Sequence, residues 1–98
     1  MGKSYRNSKY REESFDDDTV YVSLDEIHIC ESTIEKLLAR DGGQIEKMRQ
    51  DFEFGRASVR VVLRPRAGGG YNIEDGRHRV IAAKLAGMGF IEALVVGR

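Results

Sequence analysis

The chain has 98 residues, which allows one domain with one modest core. Charged residues make up 33% and hydrophobic ones 41%, and the formal net charge is zero, which excludes a protein that coats nucleic acid through bulk charge. No apolar run approaches the roughly 20 residues of a membrane span, no apolar signal core opens the chain, and one cysteine excludes both an internal disulfide and a cysteine-built zinc site; a cytoplasmic protein is expected.

Residues 1–18, MGKSYRNSKYREESFDDD, read as a flexible polar tail without apolar periodicity. Its first part is basic (Lys3, Arg6, Lys9, Arg11) and its second acidic (Glu12, Glu13, Asp16, Asp17, Asp18). The plain reading is a solvated leader; the sharper one is a basic arm with Tyr5 and Tyr10 that touches nucleic acid.

Residues 19–98 read as one domain. In TVYVSLDEIHI, Val20, Val22 and Leu24 alternate with Tyr21 and Ser23, as a strand requires. STIEKLLAR follows. Ser32 and Glu35 form a capping-box pattern, and Ile34, Leu37 and Leu38 make one apolar helix face. Asp41-Gly42-Gly43 is expected to stop that helix, and Ile45, Met48 and Phe52 are spaced for a second one ending before Gly55. Cys30 reads as a small packed residue.

SVRVVLR is a strand with Val59, Val61 and Leu63 on one side and Arg60 and Arg64 on the other. Pro65 to Gly70 is a turn, and YNIE returns as the second strand of a hairpin. GRHRVIAAKLAG reads as a helix with Ile81, Leu85 and Met88 on one stripe, and FIEALVV as a last, largely buried strand. The order strand, two helices, hairpin, helix, strand gives a small α+β domain.

The segment YNIEDGRHR concentrates chemistry at one junction. Gly76 permits a sharp turn between strand and helix. The helix that starts near Arg77 offers free backbone N–H groups and the positive end of its dipole. Arg77, His78 and Arg79 then stand in the first turn, where acidic residues are the rule. Two arginines there cost about 0.3–1 kcal/mol each at exposed sites, so something must compensate. A bound phosphate does so. The bland alternative is Asp75 as a helix cap, with the arginines paired to Glu74, Asp75 or Glu92.

The hairpin feeding YNIEDGRHRVIAAKLAG, followed by FIEALVV, resembles the ParB/sulfiredoxin superfamily, and VYVSLDEIHI is similar to that domain's opening strand and loop. The resemblance covers residues 19–96. It implies a mixed sheet and a phosphate-binding helix N-terminus formed by Gly76, Arg77, His78 and Arg79. The partition branch carries a Gly-Glu-Arg-Arg box; Gly76 and Arg79 match it. The sulfiredoxin branch carries Gly-Cys-His-Arg, but Arg77 stands at the position of the catalytic cysteine, so sulfinic acid reduction is not expected. The free-serine kinase branch carries Asp-Gly-His-His-Arg. Asp75, Gly76, His78 and Arg79 match it, and Glu31 stands near the place of that branch's glutamate base.

Three functions follow from the resemblance. The first is a nucleotide- or phosphate-binding domain for CTP or ATP, with or without Mg²⁺. The second is a phosphoryl-transfer or nuclease-type enzyme, with Asp75 as metal ligand and Glu31 and Asp75 as catalytic groups. The third is a DNA- or protein-interaction domain without nucleotide chemistry, using the basic tail or Arg60, Arg64 and Arg66. The chain ends at Arg98, without the partition proteins' helix-turn-helix, so sequence-specific DNA binding by this chain alone is not expected. Domains of this kind pair, which makes a homodimer an expectation, and the compact form suits a bacterial or phage protein.

Overall fold

A computed structural model describes residues 19–97; the tail read from residues 1–18 lies outside the described residues. Five strands form one mixed sheet in the order β1-β5-β3-β4-β2: β1 (Thr19–Ser23), β2 (Ile27–His28), β3 (Arg60–Pro65), β4 (Tyr71–Asp75) and β5 (Phe90–Val95). β1 pairs antiparallel with β5, and β3 antiparallel with β4. The pairs β3–β5 and β2–β4 are parallel. Two helices complete the domain, α1 (Glu31–Glu53) and α2 (Arg77–Leu85).

The alternation read from SVRVVLR holds: Val59, Val61 and Leu63 are buried, while Arg60 and Arg64 are not. They join Val22, Leu24, Ile27, Ile73, Ile91 and Ala93 in the core under α2. Val22 in β1 and Leu24 in the 3-10 turn that follows are buried as expected, but Val20 is 41% exposed.

The helices differ from expectation in two ways, at the start of α1 and in the packing of α2. The capping box does not form: α1 starts at Glu31, with Cys30 at the N-cap, so Ser32 lies inside the first turn. The break expected at Asp41-Gly42-Gly43 is present, as two helical segments that meet across a kink. Asp41 leaves helical geometry (φ −125°, ψ 29°), the axis kinks, and the helix resumes to Glu53. The physical reason lies on both sides of the kink. Leu37 and Ile45 are both buried against Ile81 and Ala82 of α2, so packing carries the chain through a glycine pair whose propensity is poor. In α2, Leu85 is 51% exposed, and the buried residues are the consecutive run Val80, Ile81, Ala82 and Ala83. A single stripe was the wrong expectation because α2 is covered on two sides. Val80 and Ala83 meet the sheet, and Ile81 and Ala82 meet α1. Alanines let both layers approach closely.

The junction between β4 and α2 is sterically fixed. The β3–β4 register jumps from Leu63↔Ile73 to Val62↔Asp75, which leaves Glu74 as the extra residue of a bulge. Gly76 follows at φ +110° as the N-cap of α2. A Cβ there would stand 2.8 Å from Val61 Cγ1, so a side chain is disfavoured both by dihedral and by contact. Asp75 is therefore not the cap.

Two stability predictions follow from this packing. Ile45→Ala removes a fully buried side chain and is expected to cost about 2–5 kcal/mol in urea unfolding, against less than about 0.5 for exposed Leu85→Ala; equal costs contradict the two-sided burial of α2. Gly76→Ala is expected to cost more than Gly87→Ala. Both glycines have positive φ, but nothing lies within 4 Å of a Cβ at Gly87. The strain alone is worth about 1–2 kcal/mol, and the excess at Gly76 reads the Val61 contact; no excess contradicts it.

Candidate phosphate site at the head of helix α2

The first intrahelical bond of α2 runs from Val80 N–H to the Gly76 carbonyl at 2.9 Å. The N–H groups of Arg77, His78 and Arg79 therefore have no acceptor within the helix. No side chain caps them, and no acceptor among the described residues takes them. They head the helix beside an open cleft of about 410 Å³. Its walls come from three places in the sequence: Leu37 and Arg40 before the α1 kink, Met48 after it, and the continuous run Asp75 to Arg79. The expected site residues Asp75, Gly76, Arg77, His78 and Arg79 are thus brought to one cleft.

The charges around the cleft are unequally engaged. Arg79 donates from Nη1 to the Arg60 carbonyl at 3.2 Å, which ties the first turn of α2 to the start of β3. His78 Nε2 lies 2.8 Å from Asp41 Oδ2, at the kink of α1. Asp41 also accepts from Arg40 Nε at 3.1 Å. The His78 hydrogen bond first, and then Arg40, hold the Asp41 carboxyl below its ordinary range. Glu74 accepts from Arg64 at 3.0 Å, and this bond, together with the fields of Arg64 and Arg77, lowers its pKa. Arg40, Arg77 and Arg79 line the cleft with Asp75, the only carboxylate that does so among the described residues.

A second cavity of about 340 Å³ lies on the other side of Arg77, which lines both. Its wall includes His28, Cys30, Thr33 and Asn72. Cys30 is exposed rather than packed, with Sγ 3.8 Å from His28 Nε2. Glu31 is exposed at the first position of α1 and lines neither cavity. Among the described residues, no group of three or more His, Cys, Asp or Glu side chains is arranged to hold a metal ion. The arginines proposed for DNA contact are partly neutralised. Arg60 donates to Glu92 at 3.1 Å and Arg64 to Glu74.

Sequence reading missed Asp41 and Arg40. Asp41 lies 37 residues from His78 in sequence, and Arg40 is its neighbour. The doubled glycine after Asp41 was the available signal, but it read equally well as a helix stop.

No helix among the described residues is long and apolar enough to cross a membrane. No protein-family profile matches the chain, and no curated protein matches it by sequence. Solved structures do match by shape. A sulfiredoxin from Arabidopsis thaliana aligns with a TM-score of 0.64 at 16% identity, over 82% of this chain and 85% of that one. The C-terminally truncated chromosome-partitioning protein ParB from Caulobacter crescentus, solved with CTP-gamma-S, aligns with a TM-score of 0.61 at 15% identity over 82% of this chain. This chain spans 44% of that ParB chain. The five-stranded mixed sheet with two helices is thus the ParB/sulfiredoxin-like fold.

Proposed function

We propose that this chain binds a nucleotide, CTP or ATP, by its phosphates at the head of α2. The observation that carries the reading is the run of three N–H groups, Arg77 to Arg79, without acceptors beside a cleft that Arg40, Arg77 and Arg79 line. The helix dipole and the guanidinium forks favour the same charge. Gly76 has no side chain to keep a phosphate from the backbone. The neighbouring cavity supports a nucleotide over a bare phosphate. Across Arg77 it offers Thr33, Asn72 and His28 to a sugar or a base. A solved structure of this fold, the Caulobacter ParB, holds CTP-gamma-S.

Metal chemistry is a second reading, favoured by Asp75. In that reading Asp75 holds Mg²⁺, and Glu31 is the base for an attacking hydroxyl. One lining carboxylate does not make a protein cage for Mg²⁺, so the phosphates and water would supply most of the ligands. Glu31 lines neither cavity. Binding without turnover is therefore the stronger reading.

A thermal-shift panel of CTP, ATP, ADP, GTP and inorganic phosphate, with and without Mg²⁺, tests it. A ligand at about 100 times its dissociation constant adds about 2.7 kcal/mol. We expect at least one nucleotide to shift the transition, and Arg79→Ala to lose that shift while staying folded. No shift with any nucleotide, or an equal shift in Arg79→Ala, contradicts the site.

A further inference from the structure

We infer that Asp41 is a positioning residue for the anion site: it holds His78 by Nε2 and makes anion binding through His78 depend on a proton. This rests on the proposed phosphate site and adds a residue and a pH dependence to it. The geometry is an interhelical pair, Asp41 Oδ2 to His78 Nε2 at 2.8 Å, between the α1 kink and the first turn of α2. Both side chains are partly shielded, His78 at 29% and Asp41 at 26% exposure. His78 also lines the cleft, whereas Asp41 does not.

The consequence is a matter of hydrogen counting. A carboxylate only accepts, so Nε2 must carry the proton it donates to Asp41. The nitrogen left for a ligand is Nδ1. In the neutral ring that nitrogen is an acceptor and has nothing to give an anion. Only the imidazolium donates from both nitrogens. An anion that uses His78 therefore takes up one proton as it binds. Asp41 fixes the orientation of the ring through this bond. The charged groups around His78 are Asp41 and Arg40 from α1, Arg77 and Arg79 from its own helix, and Asp75 from the end of β4. None but Asp41 is bonded to the ring among the described residues.

Without Asp41 the constraint disappears. A free neutral ring turns or changes tautomer to present an N–H to the anion, with no proton taken up. Asn at the same position holds the ring but does not fix its tautomer, because its amide either accepts from Nε2–H or turns and donates to Nε2.

Inorganic sulfate is the probe, because it stays a dianion across the histidine range. Its affinity is measured from about pH 5.5 to about pH 8 in the wild type, Asp41→Ala, Asp41→Asn, His78→Gln and Arg79→Ala. One coupled proton weakens binding by up to about tenfold per pH unit. We expect the wild type to show that fall and His78→Gln to lose it. Asp41→Ala and Asp41→Asn should both bind with a flat profile, since neither forces the proton of the neutral ring onto Nε2. A purely structural role for Asp41 would change stability or overall affinity and leave the profile of Asp41→Ala parallel to the wild type; that result overturns the inference. A flat wild-type profile with binding lost in Arg79→Ala overturns it too, and leaves the phosphate site standing. No sulfate binding in the wild type at any pH, or undiminished binding in Arg79→Ala, fails the site itself and the inference with it.

Discussion

The left-handed turn at Gly76 sets where every other part of the site can be. At φ +110°, with Val61 immediately beneath it, the residue between β4 and α2 has one affordable geometry and no room for a side chain. The head of α2, which follows that turn, lines the cleft. The bulge at Glu74 lies just upstream and adjusts the last residues of β4 to meet it. Val80 and Ala83 then seat the helix on the sheet, and Ile81 and Ala82 seat it against α1. The N–H groups of residues 77–79 are thus displayed by a helix that is held on two sides. Such a scaffold suits a site whose donors must be in place before the ligand arrives.

Electrostatics points the same way. A helix normally carries acidic side chains in its first turn, and α2 carries none there. Its first turn instead stacks Arg77, His78 and Arg79 on the positive end of the dipole. Part of this charge is answered within the protein. Asp41 meets His78, and Glu74 lowers the local potential near Arg77. Arg79 finds only the neutral carbonyl of Arg60. The cleft therefore keeps an excess of positive charge and unused donors, the two attributes that an anionic ligand removes together. The opposite holds on β3, where Arg60 and Arg64 already have carboxylate partners. An extended phosphate backbone would have to compete with those pairs.

The hairpin, the last strand and the box were legible because their signals are local. Alternation of Val59, Val61 and Leu63 needs only the strand period, and GRHR after a strand needs only the rules for helix starts. The course of α1 was legible in part. Gly42 and Gly43 weaken a helix by local rules, and the helix does break at Asp41; the burial of Leu37 and Ile45 on one partner, which the sequence does not show, holds the two segments together across a kink. The packing of α2 was misread for a related reason: a helix between two layers has no single stripe, so Leu85 faces solvent while four consecutive residues are buried. Asp41 could not be assigned to the site from sequence, since its partner His78 lies 37 residues away. The shape of the domain agrees with the sulfiredoxin and ParB structures at 16% and 15% identity, where only the broad pattern of apolar positions is left to read.

The most direct test of the central claim is an amide-resolved NMR titration of the full chain with CTP and with ATP. If the head of α2 binds the phosphates, the largest shifts fall on the backbone N–H groups of Gly76 through Arg79, with a smaller response at Arg40 across the cleft. Saturating nucleotide that leaves those amides unmoved, or that moves only residues on the β1–β5 side of the sheet, contradicts the account.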